Sequence, residues 1–202
     1  MQGLWDRMDP MLQLPHFNEE VIKKYRKQLK DKQIPNGKIE TFCRLSAEQR
    51  KQLDLFDDPS KMADIERAVR GMPLISYDWS VETEGEKVMT SQDVITFRIN
   101  ITYDLLQPDE EPGYVHALRY PLLKKHRFWM VLAEGRSKEK IIVVDELLPE
   151  RDPVKLKKDK PNPNTATYEI KQRFGQVGEV KFTCFLMSDS FVGFDKEFDI
   201  EF

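Results

Sequence analysis

The spacing of apolar residues changes near position 74, from every third or fourth residue upstream to every second residue downstream. Upstream, Asn18 stands as an N-cap ahead of Glu19 and Glu20, and Val21, Ile22, Tyr25 and Leu29 follow at helical spacing. Ile39, Phe42 and Leu45 make a short apolar step, and Ser46 with Gln49 has the spacing of a capping box. Asp58 and Pro59 open a further helix with Met62, Ile65 and Val69 on one face, which Gly71 and Pro73 end. Trp5, Met8, Met11, Leu12 and Leu14, ahead of Pro15, predict a short helix or an ordered extension. Residues 10 to 72 are therefore expected to form a bundle of three or four helices.

Downstream, Ile75, Tyr77, Trp79 and Val81 alternate with Ser76, Asp78, Ser80 and Glu82, as a half-buried strand requires. Ile95, Phe97, Ile99, Ile101 and Tyr103 repeat the pattern after a polar turn around Gly85. Further strands are expected at 128–133, 141–144 and 165–173, separated by an acidic Pro-containing loop at 107–113, a turn at 135–137 and a Pro- and Lys-rich loop at 151–164. The last 24 residues, Glu179 to Phe202, read as strand, turn, strand. The first of these strands is apolar on both faces and so central; the second alternates Phe198, Ile200 and Phe202 with Glu197, Asp199 and Glu201, which suits an edge. Ser188, Asp189, Gly193 and Asp195 are the turn-forming residues between them. Seven strands without intervening helices argue for an antiparallel sandwich with Greek-key connections, immunoglobulin-like and of the fibronectin type III kind. The expected organisation is a helical bundle over residues 1–73 and a sandwich over 74–202.

Composition narrows the function. The chain has 202 residues and a formal charge of −3. Residues 1–73 carry 14 Lys or Arg against 12 Asp or Glu, and residues 74–202 carry 18 against 23, so neither part has the basic excess of a dedicated nucleic-acid binder. No apolar run approaches the ~20 residues of a membrane-spanning helix, and no signal peptide is seen. The two cysteines, Cys43 and Cys184, lie far apart, and a reducing compartment is the simpler reading.

Chemistry-bearing patterns are scarce. His16, His116 and His126 have no metal-ligand spacing, and the nine glycines form no phosphate-cradling loop. Ser188 and Ser190 lack a nucleophile elbow, and Asp109, Glu110 and Glu111 sit between prolines where a solvated loop explains them. Asn100-Ile101-Thr102 matches a glycosylation acceptor within a strand, a setting that argues against its use. Trp129 is assigned to the core, as tryptophans in sandwich strands usually are. Lys124, Lys125 and Arg127 are the candidate partner-binding residues, fit, like the lysines at 155–160, to meet acidic protein loops or phosphates. No catalytic residue, metal site or cofactor is expected.

Four stretches carry a family resemblance. Leu14-Pro15-His16-Phe17, Arg70-Gly71-Met72-Pro73, Tyr120-Pro121 with Phe128-Trp129, and above all Phe182 to Asp195 with its Ser-Asp, aromatic, Gly, Asp order resemble the cytosolic homology domain of Sec sixty-three type, over residues 11–202. That domain belongs to the J-protein subunit of the endoplasmic-reticulum protein translocon and also occurs in Ski-type helicases. The long inserts at 104–120 and 150–164 and the mild acidity of the sandwich favour the translocon setting. The resemblance implies a non-catalytic scaffold on the cytosolic face of the endoplasmic-reticulum membrane. It would bind channel subunits and associated Sec proteins to support post-translational import. A lumenal Hsp70 would be recruited only through a J-domain, whose His-Pro-Asp motif this chain lacks, so the chain is expected to be a soluble fragment. A helicase accessory domain, contacting protein or RNA, is the alternative.

Overall fold

Local capping chemistry sets the starts of three of the four described α-helices, while Lys38, the N-cap of the other, makes no side-chain cap bond. The computed structural model describes residues 3–5, 7–31, 37–83, 94–106, 114, 115, 117, 120–134, 140–147, 165–173 and 181–201. A 3-10 turn, Pro10–Gln13, is followed by α1 (Glu19–Asp31), α2 (Ile39–Arg44), α3 (Ala47–Lys51) and α4 (Pro59–Arg70). Asn18 Oδ1 accepts from the Val21 amide at 2.9 Å. Ser46 and Gln49 make both bonds of the capping box. Asp58 Oδ1 accepts from the Ser60 amide, with Pro59 at the first helical position.

The helices enclose Met11, Ile22, Tyr25, Leu29, Phe42 and Ile65, all almost fully buried. Phe42 is the hub, with Tyr25 and Phe17 edge-on to its ring at 5.4 Å each. Beside it Arg50, 6% exposed, bonds the Glu66 carboxylate at 2.7 and 2.6 Å. Its remaining nitrogen donates to the carbonyls of Phe42, Cys43 and Leu45. Those carbonyls lie where α2 ends; that of Phe42 also accepts from the Leu45 amide, and the guanidinium adds donors where no further helical turn supplies them. Cys43 is buried and unpaired, and burial pushes its thiol up to about 12; Cys184 is likewise free, buried and raised to about 12.

Seven strands follow: β1 (Ile75–Thr83), β2 (Val94–Tyr103), β3 (Phe128–Glu134), β4 (Lys140–Leu147), β5 (Thr165–Arg173), β6 (Lys181–Ser188) and β7 (Lys196–Glu201). They form two antiparallel sheets, ordered β1-β2-β5 and β4-β3-β6-β7. β6 lies between β3 and β7, and β7 is at an edge, as the apolar and charged patterns of these strands demand. Their inner faces share one core in which Phe97 of β2 meets Phe182 of β6 edge-on at 5.6 Å and Tyr77 of β1 stacks on Phe198 of β7 at 4.5 Å. β4 runs over eight residues, longer than the expected 141–144, because Lys140 at one end pairs with Glu134 of β3 and the buried Leu147 at the other pairs with Phe128.

The contacts divide the chain into two units: Met1–Leu74 with Pro112–His126 and Ser190–Phe194, and Ile75–Glu111 with Arg127–Asp189 and Asp195–Phe202. Two short segments of the region expected to be sandwich thus group with the helices. Their apolar residues account for this: Phe191 and Phe194 are buried and meet edge-on at 6.2 Å, and the buried ring of His126 lies 5.9 Å from Phe191. The expected loops around Gly85, at 107–113, 135–137 and 151–164, fall wholly outside the described residues.

The hydroxyl of Tyr25 is buried and without a hydrogen bond, whereas every guanidinium contact of Arg50 is used. Tyr25→Phe is expected to leave stability within about 1 kcal/mol or raise it, while Arg50→Met should cost about 3 kcal/mol by orphaning Glu66 and the α2 carbonyls. Urea denaturation of the two variants checks the contrast.

Candidate interaction surface

The stretch between β6 and β7 is shaped by hydrogen bonds to backbone groups that have left the sheet. Asp195 Oδ1 accepts from the Ser188 amide at 2.7 Å, closing the mouth of the hairpin. Asp189 reaches farther: its carboxylate accepts from the Arg127 amide and its own amide donates to the Arg127 carbonyl, both at 3.1 Å. Val192 is held from both sides by one side chain, donating to Gln13 Oε1 at 2.8 Å and accepting from Gln13 Nε2 at 2.7 Å. Gly193 has φ +87°, and a Cβ there would meet Pro10 Cβ at 3.0 Å and Ile39 Cγ2 at 3.1 Å. Both the backbone angle and the space call for glycine.

The candidate partner-binding residues separate by unit. Lys124 and Lys125 belong with the helices, where the Val115 amide donates to the Lys124 carbonyl at 2.8 Å and Tyr114 bridges Lys125. Arg127 belongs with the sheets and bonds Glu146 at 2.7 Å, a partner that raises its pKa. It is therefore engaged within its own sheet.

Trp129 reverses its core assignment. Phe128, Met130 and Leu132 turn inward and are buried, so period two turns Trp129 outward, where it is 41% exposed. Opposite it lie Met187 of β6 and Glu146 of β4; Val131, next on this face, lies between Phe185 and Val144. Met187 is 47% exposed and Val144 54%. The outer face of the four-stranded sheet thus carries an apolar band, bounded on β7 by Glu197 and Asp199. The alternation of residues 128–132 held this signal, and the residue-type preference of tryptophan outweighed it.

The other candidates are placed locally. His16 Nε2 bonds Asp64 at 2.9 Å, His126 is buried in the helical unit and His116 lies outside the described residues, as do Asp109, Glu110 and Glu111. Among the described residues no group of three or more His, Cys, Asp or Glu is placed to hold a metal ion, and no helix is long and apolar enough to cross a membrane. Asn100 is bonded to Asp78 and Thr167 within its sheet. A groove of about 390 Å³ beside α3 and α4 is walled by Leu55, Phe56, Pro59 and Met62, with Lys51 and Asp54 also lining it.

No family model matches the chain. Curated relatives match it almost end to end. The DExH-box ATP-dependent RNA helicase DExH13 of Arabidopsis thaliana is 28% identical over 199 residues, 98% of this chain and 8% of the helicase. DnaJ protein ERDJ2A of the same plant is 27% identical over 219 residues, 94% of this chain and 31% of that protein. The human U5 small nuclear ribonucleoprotein 200 kDa helicase is 24% identical over 197 residues, again 98% of this chain and 8% of the relative. Similarity to both a J-protein and DExH-box helicases is the distribution of the Sec sixty-three type homology domain, and the resemblance in the sequence holds. The chain spans under a tenth of the helicases and about a third of the J-proteins.

The alignment to ERDJ2A covers 219 positions against the 202 residues of this chain, so the J-protein carries insertions that are missing here, whereas the helicase alignment covers 199. Alignment length alone does not decide between the two settings, which the relatives support equally.

Gly193→Ala should destabilise the chain by about 1–3 kcal/mol through the strained φ and the contact with Pro10, and Asp189→Ala by about 1 kcal/mol through the lost Arg127 bond. Thermal unfolding followed by circular dichroism measures both; unchanged melting in Gly193→Ala would contradict the packing described.

Proposed function

We propose that the chain is a non-catalytic docking module of the cytosolic region of an endoplasmic-reticulum translocon J-protein. It binds channel subunits and associated Sec proteins in support of post-translational import. The observation that carries this reading is the occurrence of one segment in a DnaJ protein and in RNA helicases. Proteins with such different overall activities have in common the fold and the surface this segment supplies, rather than a reaction. The exposed Trp129–Met187 band supports it, since aromatic and methionine side chains are enriched where proteins meet. The strand order β1-β2-β5 and β4-β3-β6-β7 supports an immunoglobulin-like, fibronectin type III-like sandwich as the platform. Lys124, Lys125 and Arg127 flank that role as charged contacts, and Ser188, Asp189, Gly193 and Asp195 shape the hairpin. In this reading the domain lies on the cytosolic face of the membrane, and recruitment of a lumenal Hsp70 rests on a J-domain elsewhere in the parent.

A helicase accessory role is the second reading, favoured by DExH-box relatives that match 98% of the chain. The mild acidity of residues 74–202 weighs against direct RNA contact within it. Affinity purification of the full-length parent from detergent-solubilised membranes separates the two. Translocation-channel subunits are expected in stoichiometric yield. A parent that carries helicase motifs and co-purifies with spliceosomal proteins would overturn the translocon assignment.

A further inference from the structure

β4 ends the four-stranded sheet among the described strands, so one row of its backbone N–H and C=O groups has no neighbouring strand. Natural edges are usually blunted by charge, and β7 at the other end of the sheet is: Glu197, Asp199 and Glu201 alternate along it. The centre of β4 is four consecutive β-branched aliphatic residues, Ile141, Ile142, Val143 and Val144, with Ile141 60% and Val144 54% exposed. Such a run at an edge is a template for further pairing.

The register of β4 says what fits it. In a regular strand Ile141 and Val144 would point to opposite faces. A register shift at Leu132/Ala133 places Val144 opposite Val131 and Ile141 opposite Ala133, so both lie on the outer face. Ile142 and Val143 both pack against the core. From Lys140 to Asp145 the sequence of faces therefore reads the same in either direction. Antiparallel partners place same-face residues opposite one another. With Ile142 opposite Val143 of a second copy, Ile141 meets Val144 and Lys140 meets Asp145, and twofold symmetry repeats each pair. Slipping the register by two residues instead sets Ile141 against Glu146 and Ile142 against Asp145.

We propose that β4 pairs with β4 of a second copy of this chain, antiparallel about a twofold axis between Ile142 and Val143, joining two four-stranded sheets into one. The ammonium of Lys140 already donates to Glu134 at 2.6 Å and keeps donors for the partner's Asp145. The interface is short, so the dimer forms with rising concentration rather than being permanent. This surface is the edge of the sheet, and its occupation is independent of which parent protein carries the domain.

Sedimentation velocity of the purified chain over a concentration series tests the pairing. A monomer–dimer equilibrium is expected, weakened at least about ten-fold by Lys140→Asp or by Asp145→Lys, each of which sets like charges opposite one another. Mixed in equal amounts, the two variants have complementary edges and should recover the parental dimer. Val144→Lys, which alters an exposed side chain, should also abolish it and stands in if Lys140→Asp fails to fold. A chain that stays monomeric, a dimer indifferent to these substitutions, or mixed variants that do not recover would each overturn the proposal.

Discussion

Buried backbone groups must find hydrogen-bond partners, and at several of the described places where the chain leaves regular structure one polar side chain meets that demand. Arg50 gathers the carbonyls at the end of α2, with Glu66 balancing its charge. Gln13 serves both backbone groups of Val192, Asp195 serves the Ser188 amide and Asp189 the Arg127 amide. None of these side chains is arranged as an acid–base pair. Their geometry holds irregular chain in place.

That economy bears on function. A docking module needs a rigid frame and a surface that water does not favour. The inner halves of β3 and β6 supply the frame through Phe128, Met130, Leu132, Phe182, Cys184 and Leu186, all essentially buried. The same strands, by period two, deliver Trp129, Val131, Phe185 and Met187 to the outside. Frame and surface are thus two faces of one alternating pattern. A substitution that changed the register of β3 by one residue would exchange them.

Most of the architecture was legible because the signals were local. The Ser46–Gln49 capping box, the Asp58-Pro59 start and the alternation in β1, β2, β6 and β7 each follow from residues within a few positions of one another. What was not legible depended on distant contacts. Gly193 reads as a turn glycine, but the need for it arises from Pro10 and Ile39, more than 150 positions away in sequence. Phe191 and Phe194 look like hairpin residues, and only the folded chain groups them with the helices. Trp129 was misassigned for the opposite reason, since its local alternation was clear and a preference based on residue type prevailed. The setting of the domain was not legible in the residues, because the same segment matches J-proteins and helicases at nearly equal identity.

Site-specific photo-crosslinking from position 129 of the full-length parent in native membranes tests the central claim most directly. A photoreactive side chain replacing Trp129 is expected to capture a cytosolic segment of the translocation channel, while the same probe at inward-facing Met130 captures none. Equal capture from both positions, or capture of no channel subunit from position 129 in a parent that folds and reaches its membrane, would contradict the account.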